Sequence, residues 1–320
     1  MSKALIESAY NVLKNGLQLQ PGEEFLIVAD DKQKPALTDA FEIAGSLLGA
    51  KVGKTIYPVV AKQNDEPMGF VAKSLETVQA AIVIPTVSIT HVEAIRQARK
   101  QGTRVMVCSG LDERMMVGAV NADYEQLSEL TAKFVALLET AETVRVTCSK
   151  GTDITFPIKG RTTTSVDGIV NQPGQWNFAP AGTTATAPIE GQTNGTLVFD
   201  GSLAPFGIVD EPVVLEVVDG MIREIKGGRT AQDFSELLQS YHDPNVYNIA
   251  EIGIGTNEKA ELCGKLIEDE RILGAFHVGI GKSLNIGGLV DAPFHTDGMI
   301  MKPNMYVDGK LVVEEGKILI

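Results

Sequence analysis

The chain has 320 residues, of which 44% are hydrophobic and 22% charged, and its formal net charge is −13. This length suggests two domains, and the near-average composition argues against disordered, collagen-like and coiled-coil proteins. Because so acidic a protein repels phosphate backbones and anionic lipids, we expect neither nucleic acid nor a membrane surface as a partner.

The first segment, MSKALIESAYNVLKNGLQL, is typical of an amphipathic helix rather than of a signal peptide, because Lys3, Glu7 and Lys14 interrupt its apolar residues. The longest apolar run, Ala80–Val87, is much shorter than the roughly 20 residues of a membrane-spanning helix. We therefore expect a cytoplasmic protein.

Short β-branched runs alternate with helical patterns from Met1 to about Ala141. Strands are predicted at Glu24–Ala29, Lys51–Tyr57, Ala80–Pro85 and Arg104–Cys108, and helices at Ala36–Leu48, Ala72–Val78, Ile89–Gln101 and Asn121–Thr140. This alternation predicts βαβ units and a buried parallel sheet, so residues 1–141 are expected to form an open doubly wound α/β domain. The glycine fingerprint of dinucleotide-binding folds and the P-loop lysine motif are both absent from the sequence.

From Thr143 onward the pattern changes to short strands joined by hairpin signals. The strongest signals are the pairs Asp219-Gly220 and Asp308-Gly309. Asp-Gly is favoured in two-residue hairpin turns because both central residues need positive φ. Helices are predicted at about 231–241 and 258–268. Residues 142–320 are therefore predicted to form a mostly antiparallel β (α+β) domain.

Two of the four histidines, His277 and His295, lie in a glycine-rich segment near the C-terminus. His295 and Asp297 are two residues apart, so on a strand their side chains point to the same side and reach one cation. Two imidazoles with one or two carboxylates fit iron, manganese, cobalt or zinc. An isolated H-x-D is more often a solvated surface pair, and the second histidine is what favours a metal site.

Several motifs in consistent order resemble two related families. These motifs are PGQWNFAPAG, GTLVFDG and DPNVYNIAEIGIGTN, followed by His277, Gly287-Gly288 and His295-x-Asp297. One family is the aminopeptidase T/aminopeptidase S metallopeptidases, and the other is 2,5-dihydroxypyridine 5,6-dioxygenase, a non-haem iron enzyme on the same scaffold. The resemblance covers nearly all of the C-terminal half and, more loosely, the α/β half. It implies the shared fold and a homodimer or larger homo-oligomer.

The peptidase resemblance implies a set of metal ligands with two departures from the family pattern. The implied ligands are Glu251, His277, His295 and Asp297. The family's metal-bridging glutamate corresponds to Thr183, and its catalytic tyrosine corresponds to Leu284. Both departures argue against peptide hydrolysis by two metal ions, which must share the attacking and leaving oxygens.

The dioxygenase resemblance is carried by Pro173–Trp176 and Asp243–Tyr247, and that family also lacks the bridging glutamate. It implies a metal that is held by the final H-x-D and by a histidine at the position where this chain has Glu251. A serine that aligns near Ser283 also belongs to that family's site. Glu251 is accordingly predicted either to bind the metal or to act as a catalytic base beside it, and Ser283 is a second catalytic candidate.

Two residues outside the metal-binding segment, His91 and Trp176, are predicted to bind substrate. His91 follows a predicted strand near the carboxyl edge of the parallel sheet, where open α/β folds bind ligands, although a surface position at a helix start explains it as well. Trp176, in a predicted loop rich in proline and glycine, offers a face for a planar substrate, although packing at a domain junction is the commoner role.

These patterns predict a divalent-metal-dependent hydrolase that resembles aminopeptidase T. It would cleave an amide bond of a small molecule or short peptide through a metal-bound water, at a site with one zinc, manganese, cobalt or iron ion. The alternatives are a non-haem iron ring-cleaving dioxygenase and a catalytically idle binding protein. The ligand count leaves the first two open, because an octahedral ion with four protein ligands keeps two exchangeable positions for either chemistry.

Overall fold

The computed structural model describes residues 2–320. In this range the α-helices are α1 (Lys3–Asn11), α2 (Pro35–Leu47), α3 (Gly69–Glu76), α4 (Glu93–Lys100), α5 (Glu113–Val117), α6 (Tyr124–Thr140), α7 (Arg229–Ser240) and α8 (Leu266–Asp269). Shorter helical turns are the π-helical Val12–Gly16 and the 3-10 turns Ala119–Asn121, Pro244–Tyr247 and Leu284–Ile286. Among the described residues, no helix combines the length and the apolar character needed to cross a membrane.

The strands outnumber the helices, and most lie in the second half of the chain. They are β1 (Glu24–Asp30), β2 (Lys51–Tyr57), β3 (Ala80–Val83), β4 (Arg104–Val107), β5 (Thr143–Thr147), β6 (Asp153–Pro157), β7 (Thr163–Val166), β8 (Trp176–Phe178), β9 (Thr183–Thr186), β10 (Asn194–Phe199), β11 (Ser202–Leu203), β12 (Gly207–Ile208), β13 (Val213–Val218), β14 (Met221–Lys226), β15 (Ile249–Ile254), β16 (Phe276–Gly281), β17 (His295–Ile300), β18 (Asn304–Val307), β19 (Lys310–Glu314) and β20 (Lys317–Ile318). Within residues 2–320 they form three sheets, ordered β2-β1-β3-β4-β8, β14-β13-β10-β6-β5-β18-β19-β20 and β12-β11-β17-β16-β15-β9-β7.

The pattern of contacts between residues divides the chain into two compact units. The first runs to Ser128 and includes Asp167–Ala181, and the second comprises Glu129–Val166 and Gly182–Ile320. The chain therefore passes between the units at residues 128/129, 166/167 and 181/182, whereas the sequence analysis drew one boundary after residue 141.

The first unit contains a parallel sheet, as predicted. β1 pairs in parallel with β2 and β3, β3 with β4, and β4 with β8. The middle strands β3 and β4 are completely buried, as expected of apolar strands covered on both faces by helices. Strand order reverses between β1 and β3, which is the topological switch point of this doubly wound sheet. The α/β part of the predicted fold class is confirmed.

Strand β8 corrects the prediction of a loop around Trp176. Trp176 pairs in parallel with Val105 at the edge of the sheet. A turn with Gly174 at φ 74° precedes the strand, and the Gly174 carbonyl accepts a hydrogen bond from the Arg99 side chain. The guanidinium of Arg99 also lies 4.8 Å from the Trp176 ring centroid. The strand was missed because its pairing partner is remote in sequence and its own length is three residues.

The second unit carries two antiparallel sheets, which confirms the β-rich part of the prediction. Both Asp-Gly hairpins form with positive φ at each residue, joining β13 to β14 and β18 to β19. Helix α7 matches the predicted helix at 231–241. The helix predicted at 258–268 is wrong, because carboxylates hold much of that segment: Asp269 accepts from the Cys263 amide and Glu268 from the Glu261 amide.

Candidate metal centre

Three adjacent antiparallel strands of the second unit carry the predicted metal ligands. In the register of β15, β16 and β17, Gly279 pairs with Glu251 on one side and with Asp297 on the other. The next pair on the same face of β16 places His277 opposite Gly253. Residues directly opposite each other in an antiparallel sheet share one face, so these side chains project to the same side.

The four predicted ligands come together on this face. Glu251 Oε1 lies 3.5 Å from His277 Nε2, and Glu251 Oε2 lies 3.3 Å from His295 Nε2. His295 Nε2 also lies 3.4 Å from Asp297 Oδ2. All three separations exceed a good hydrogen bond, and each joins atoms that could bind the same cation. The structure therefore assembles Glu251, His277, His295 and Asp297 as the sequence analysis expected, and their role as metal ligands stays a prediction.

Glycine at 279 leaves the space in which these side chains meet. A Cβ at this position would lie 2.6 Å from Glu251 Cβ, 2.8 Å from Asp297 Oδ1 and 3.0 Å from His295 Cε1. Gly253 has the same effect beside His277, where a Cβ would lie 2.2 Å from the ring carbon Cε1. The glycine-rich sequence of these strands thus makes room for a cradle lined by carboxylates and imidazoles.

Several donor atoms of the cradle are buried without hydrogen-bond partners. Among the described residues, neither ring nitrogen of His277 has a hydrogen-bond partner, and Asp297 Oδ1 has none either. His277 is completely buried and Asp297 is 4% exposed. Leaving a buried polar atom unpaired is costly, and a bound cation would satisfy these atoms. The residues present therefore fit a metal ion.

The orientation of His295 is also appropriate for a ligand. Its Nδ1 donates to the Lys282 carbonyl at 2.8 Å, so its Nε2 faces Glu251 and Asp297. A backbone carbonyl bonded to one ring nitrogen fixes the tautomer whose other nitrogen binds a metal. The side chain of His295 is 33% exposed, whereas that of Glu251 is 11% exposed. His295 is the solvent-facing member of the cluster.

Charges in the cluster shift one another's ionisation. Burial alone would raise the pKa of the Glu251 carboxyl, but the imidazoles of His277 and His295 outweigh burial and lower that pKa to about 2. Burial alone would lower the pKa of His295, and the carboxylates of Asp297 and Glu251 instead raise it well above its usual value. A cation that binds here must therefore compete with a proton on His295.

Two further residues complete the cluster and were missed from the sequence. The donor atoms form two groups within 4.8 Å of one another: Glu251, His295 and Asp297, and separately Glu270, His277 and Asp297. Glu270 contacts the buried guanidinium of Arg271. Both residues belong to the segment Glu268–Arg271, whose run of charges four residues before the buried strand β16 was the one available signal.

Ser283 lies in a loop and directly follows Lys282, whose carbonyl holds the His295 ring. Its hydroxyl accepts a hydrogen bond from the Val290 amide at 3.1 Å, and the side chain is buried. Glu190 accepts from the Leu289 amide at 2.7 Å and contacts Arg161, which donates to the Gly287 carbonyl at 2.8 Å. These contacts hold the loop. Ser283 belongs to neither donor group, and its catalytic role stays a prediction.

His91 and Trp176 lie together in the first unit. Their rings meet edge to face with centroids 5.8 Å apart. Burial, and to a smaller extent the charge of Arg96, lowers the pKa of His91. This contact is compatible with aromatic packing, and the predicted role of the two residues in substrate binding remains a prediction.

Thr183 and Leu284, the two departures from the peptidase pattern, lie in different environments. Thr183 is buried on β9, where its hydroxyl donates to the Ile254 carbonyl at 3.2 Å. Leu284 lies in the 3-10 turn at 284–286 and is 46% exposed. A hydroxyl engaged with a backbone carbonyl does not replace a bridging carboxylate.

Comparison with known proteins gives a consistent set of relatives. The family model described as NicX, 2,5-dihydroxypyridine 5,6-dioxygenase, matches residues 5–320. A 2,5-dihydroxypyridine 5,6-dioxygenase of Pseudomonas putida is 27% identical over 252 residues, which cover 75% of this chain and 71% of the relative.

Two solved structures share the fold. The 2,5-dihydroxypyridine dioxygenase from Pseudomonas putida has a TM-score of 0.83 and 24% identity, covering 100% of this chain and 98% of that one. Wild-type AmpT from Thermus thermophilus has a TM-score of 0.72 and 16% identity, covering 99% of each chain. The predicted superfamily and fold are confirmed, as is the prediction of a metalloenzyme.

The predicted hydrolase is wrong. The family match and the curated relative are both dioxygenases, whereas the similarity to AmpT, at 16% identity, supports the fold alone. The sequence analysis gave most weight to the retained ligands Glu251, His277, His295 and Asp297. Ligand type does not distinguish hydrolysis from oxygen chemistry, and the missing bridge at Thr183 was the more informative feature.

Proposed function

Because the chain belongs to the 2,5-dihydroxypyridine 5,6-dioxygenase family, we propose that it opens the ring of a hydroxylated pyridine with dioxygen. The substrate we propose is 2,5-dihydroxypyridine or a close analogue, and the metal is one iron(II) ion. The observation that carries the proposal is the family match, which spans nearly the whole chain, including every residue of the metal centre. The enzyme would break the bond between ring carbons 5 and 6 and add one oxygen atom to each.

The three residues proposed to hold the iron are Glu251, His295 and Asp297. Their donor atoms lie within 4.8 Å of one another. Two carboxylates balance the charge of a divalent ion, and the mixture of nitrogen and oxygen donors suits a first-row transition metal. When bound, iron(II) supplies neighbouring open positions at which a hydroxylated substrate and dioxygen meet.

Neighbouring protein groups, one of them a backbone carbonyl, orient this centre. Lys282 fixes the ring of His295 through its carbonyl, so that Nε2 is directed at the carboxylates. His277, the fourth predicted ligand, belongs to the other donor group, and its Nε2 lies 3.5 Å from Glu251 Oε1, whereas Glu251 Oε2 faces His295. Because His295 is the solvent-facing member, we propose that substrate approaches along its side of the cradle.

Oxygen uptake tests the proposal. The chain would be loaded anaerobically with iron(II) and mixed with 2,5-dihydroxypyridine in aerated buffer. We expect one dioxygen consumed per substrate, and a product heavier by two oxygen atoms that both carry label when isotopically heavy dioxygen is supplied. The variant His295→Ala should lose uptake.

A matched control is His242→Asn. His242 follows α7 at φ 52°, where it ends the helix, and asparagine tolerates this left-handed conformation. This variant should retain uptake. If the wild-type protein binds iron yet consumes no oxygen with 2,5-dihydroxypyridine or other dihydroxypyridines, the proposed function is wrong.

A further inference from the structure

The second donor group raises the question of how many ions the centre holds. Glu270, His277 and Asp297 place donor atoms within 4.8 Å of one another, and Asp297 also belongs to the group proposed to hold iron. His277 is completely buried, and within residues 2–320 both of its ring nitrogens lack a hydrogen-bond partner. Taken alone, this arrangement has the composition of a second metal site joined to the first through a shared carboxylate.

A protein cation already contacts one member of this group. Arg271 is 4% exposed, and its guanidinium contacts the carboxylate of Glu270. Arginine keeps its proton in folded proteins, so the Arg271 side chain is charged at neutral pH. A buried guanidinium needs compensating negative charge, and Glu270 provides it.

We propose that the guanidinium of Arg271 occupies the place of a second metal ion at Glu270, His277 and Asp297. This inference rests on the proposed function in one respect, which is that the first group binds a metal. The carboxylates of Glu251, Glu270 and Asp297 carry three negative charges, and the guanidinium cancels one of them when the imidazoles are neutral. One divalent ion balances the remaining two charges. With Arg271 present, a second divalent ion would leave two uncompensated positive charges in a buried region, against one in its absence, and such excess charge is strongly unfavourable.

The proposal also accounts for Glu270. A carboxylate beside Asp297 and His277 is an unfavourable placement on its own, because like charges repel in a region of low polarity. Paired with Arg271, Glu270 is neutralised and no longer free to bind an ion. Arg271 therefore keeps the centre mononuclear, and its removal should convert the same residues into a two-ion site.

The test is a count of bound manganese(II), which replaces iron(II) in sites of this type and does not oxidise readily in air. Wild-type protein and variants would be equilibrated with excess Mn²⁺, and the ions retained per chain measured by elemental mass spectrometry and calorimetric titration. We expect one ion in the wild type and in Arg271→Lys, which keeps the charge. Arg271→Met should bind two, and the double variant Arg271→Met, Glu270→Gln should return to one.

Electron paramagnetic resonance gives an independent measurement, because two Mn²⁺ ions that share Asp297 are magnetically coupled and produce a spectrum unlike that of one ion. We expect this coupled spectrum in Arg271→Met alone. Far-ultraviolet circular dichroism and thermal melts would show that each variant is folded.

Two results would overturn the inference: a second ion bound to the wild type, or one ion in folded Arg271→Met. Should Arg271→Met not fold, the wild-type count in excess Mn²⁺ still decides between one and two ions. A wild-type protein that binds no ion would instead contradict the proposed function itself, and the inference would fall with it.

Discussion

Two buried aspartates of this chain differ in how their carboxylates are satisfied. Asp30, at the end of β1, is 1% exposed, and both of its oxygens accept hydrogen bonds from the Thr86 hydroxyl, at 3.0 and 2.9 Å. The Lys32 amide donates to it as well. Asp297, on β17, is 4% exposed, and its Oδ1 has no partner among the described residues.

The difference distinguishes a carboxylate that stabilises the fold from one that forms part of a ligand site. Both aspartates carry a charge that burial penalises. At Asp30 the surrounding protein supplies the compensating donors, so the residue holds the switch point of the parallel sheet together. At Asp297 the compensation is incomplete, and the neighbouring atoms are themselves metal donors. A buried carboxylate lacking donors indicates a cation site more reliably than its burial or its sequence motif does.

The largest predicted effect is at Asp297. Asp297→Asn keeps the shape but removes the charge, so we expect a loss of metal affinity of at least about 100-fold and no detectable oxygen uptake. The apoprotein should lose little stability, because Asp297 Oδ1 has no donor and the substitution removes only the attraction between Oδ2 and His295. Calorimetric metal titration and urea unfolding measure the two quantities. A variant that retained wild-type metal affinity would remove Asp297 from the site.

The next effect is expected from filling the cradle. Gly279→Ala places a methyl group 2.6 Å from Glu251 Cβ and 2.8 Å from Asp297 Oδ1, so the two carboxylates must move apart. We expect metal affinity to fall by about 10-fold to 100-fold. Gly53→Ala on β2 is the matched control, because the nearest atom to its new Cβ lies at 3.5 Å. Equal affinity in the two variants would contradict the role of the cradle.

Asp30 should show the opposite separation of effects. Asp30→Asn weakens charge-assisted hydrogen bonds from Thr86 and Lys32, and we expect the free energy of unfolding to fall by about 2 kcal/mol. The number of metal ions bound per chain should not change. Urea denaturation measures the stability, and elemental analysis counts the bound metal ions. If Asp30→Asn also lost metal, Asp30 would not be the purely structural aspartate that the comparison assumes.

The smallest effect is predicted for the loop that carries Ser283. Glu190→Gln weakens the pairing with Arg161 and with the Leu289 amide, so the loop should become more mobile. Because the loop begins beside Lys282, whose carbonyl orients His295, we expect about a twofold to fivefold rise in KM with metal binding unchanged. Steady-state oxygen uptake measures this. Glu314→Gln, at the exposed end of strand β19, is a control that should leave KM as it is.

The sequence predicted those features that local patterns determine. Alternating strands and helices identified the parallel sheet, and Asp219-Gly220 identified a hairpin because its backbone conformation is a local requirement. The H-x-D motif identified His295 and Asp297 for the same reason, since side chains two residues apart on a strand share a face.

Features set by distant pairing were out of reach. Glu270 and Arg271 join the centre because the loop before β16 folds against β17, which no local pattern records. The helix predicted at 258–268 failed because buried carboxylates hold the segment through its backbone amides. The reaction was misassigned for a chemical reason, namely that the same donors serve hydrolytic and oxidative metals.

Strand β8 has a consequence for how the chain folds during synthesis. The parallel sheet is completed at its β4 edge by Trp176–Phe178, yet residues 129–166, which belong to the second unit, are made between those two strands. The emerging first unit must therefore wait with the backbone groups of β4 unpaired while this first segment of the other unit is translated. An open strand edge is a template for aggregation, so a fragment that ends near residue 141 would be a poor expression product even though it contains most of the α/β unit.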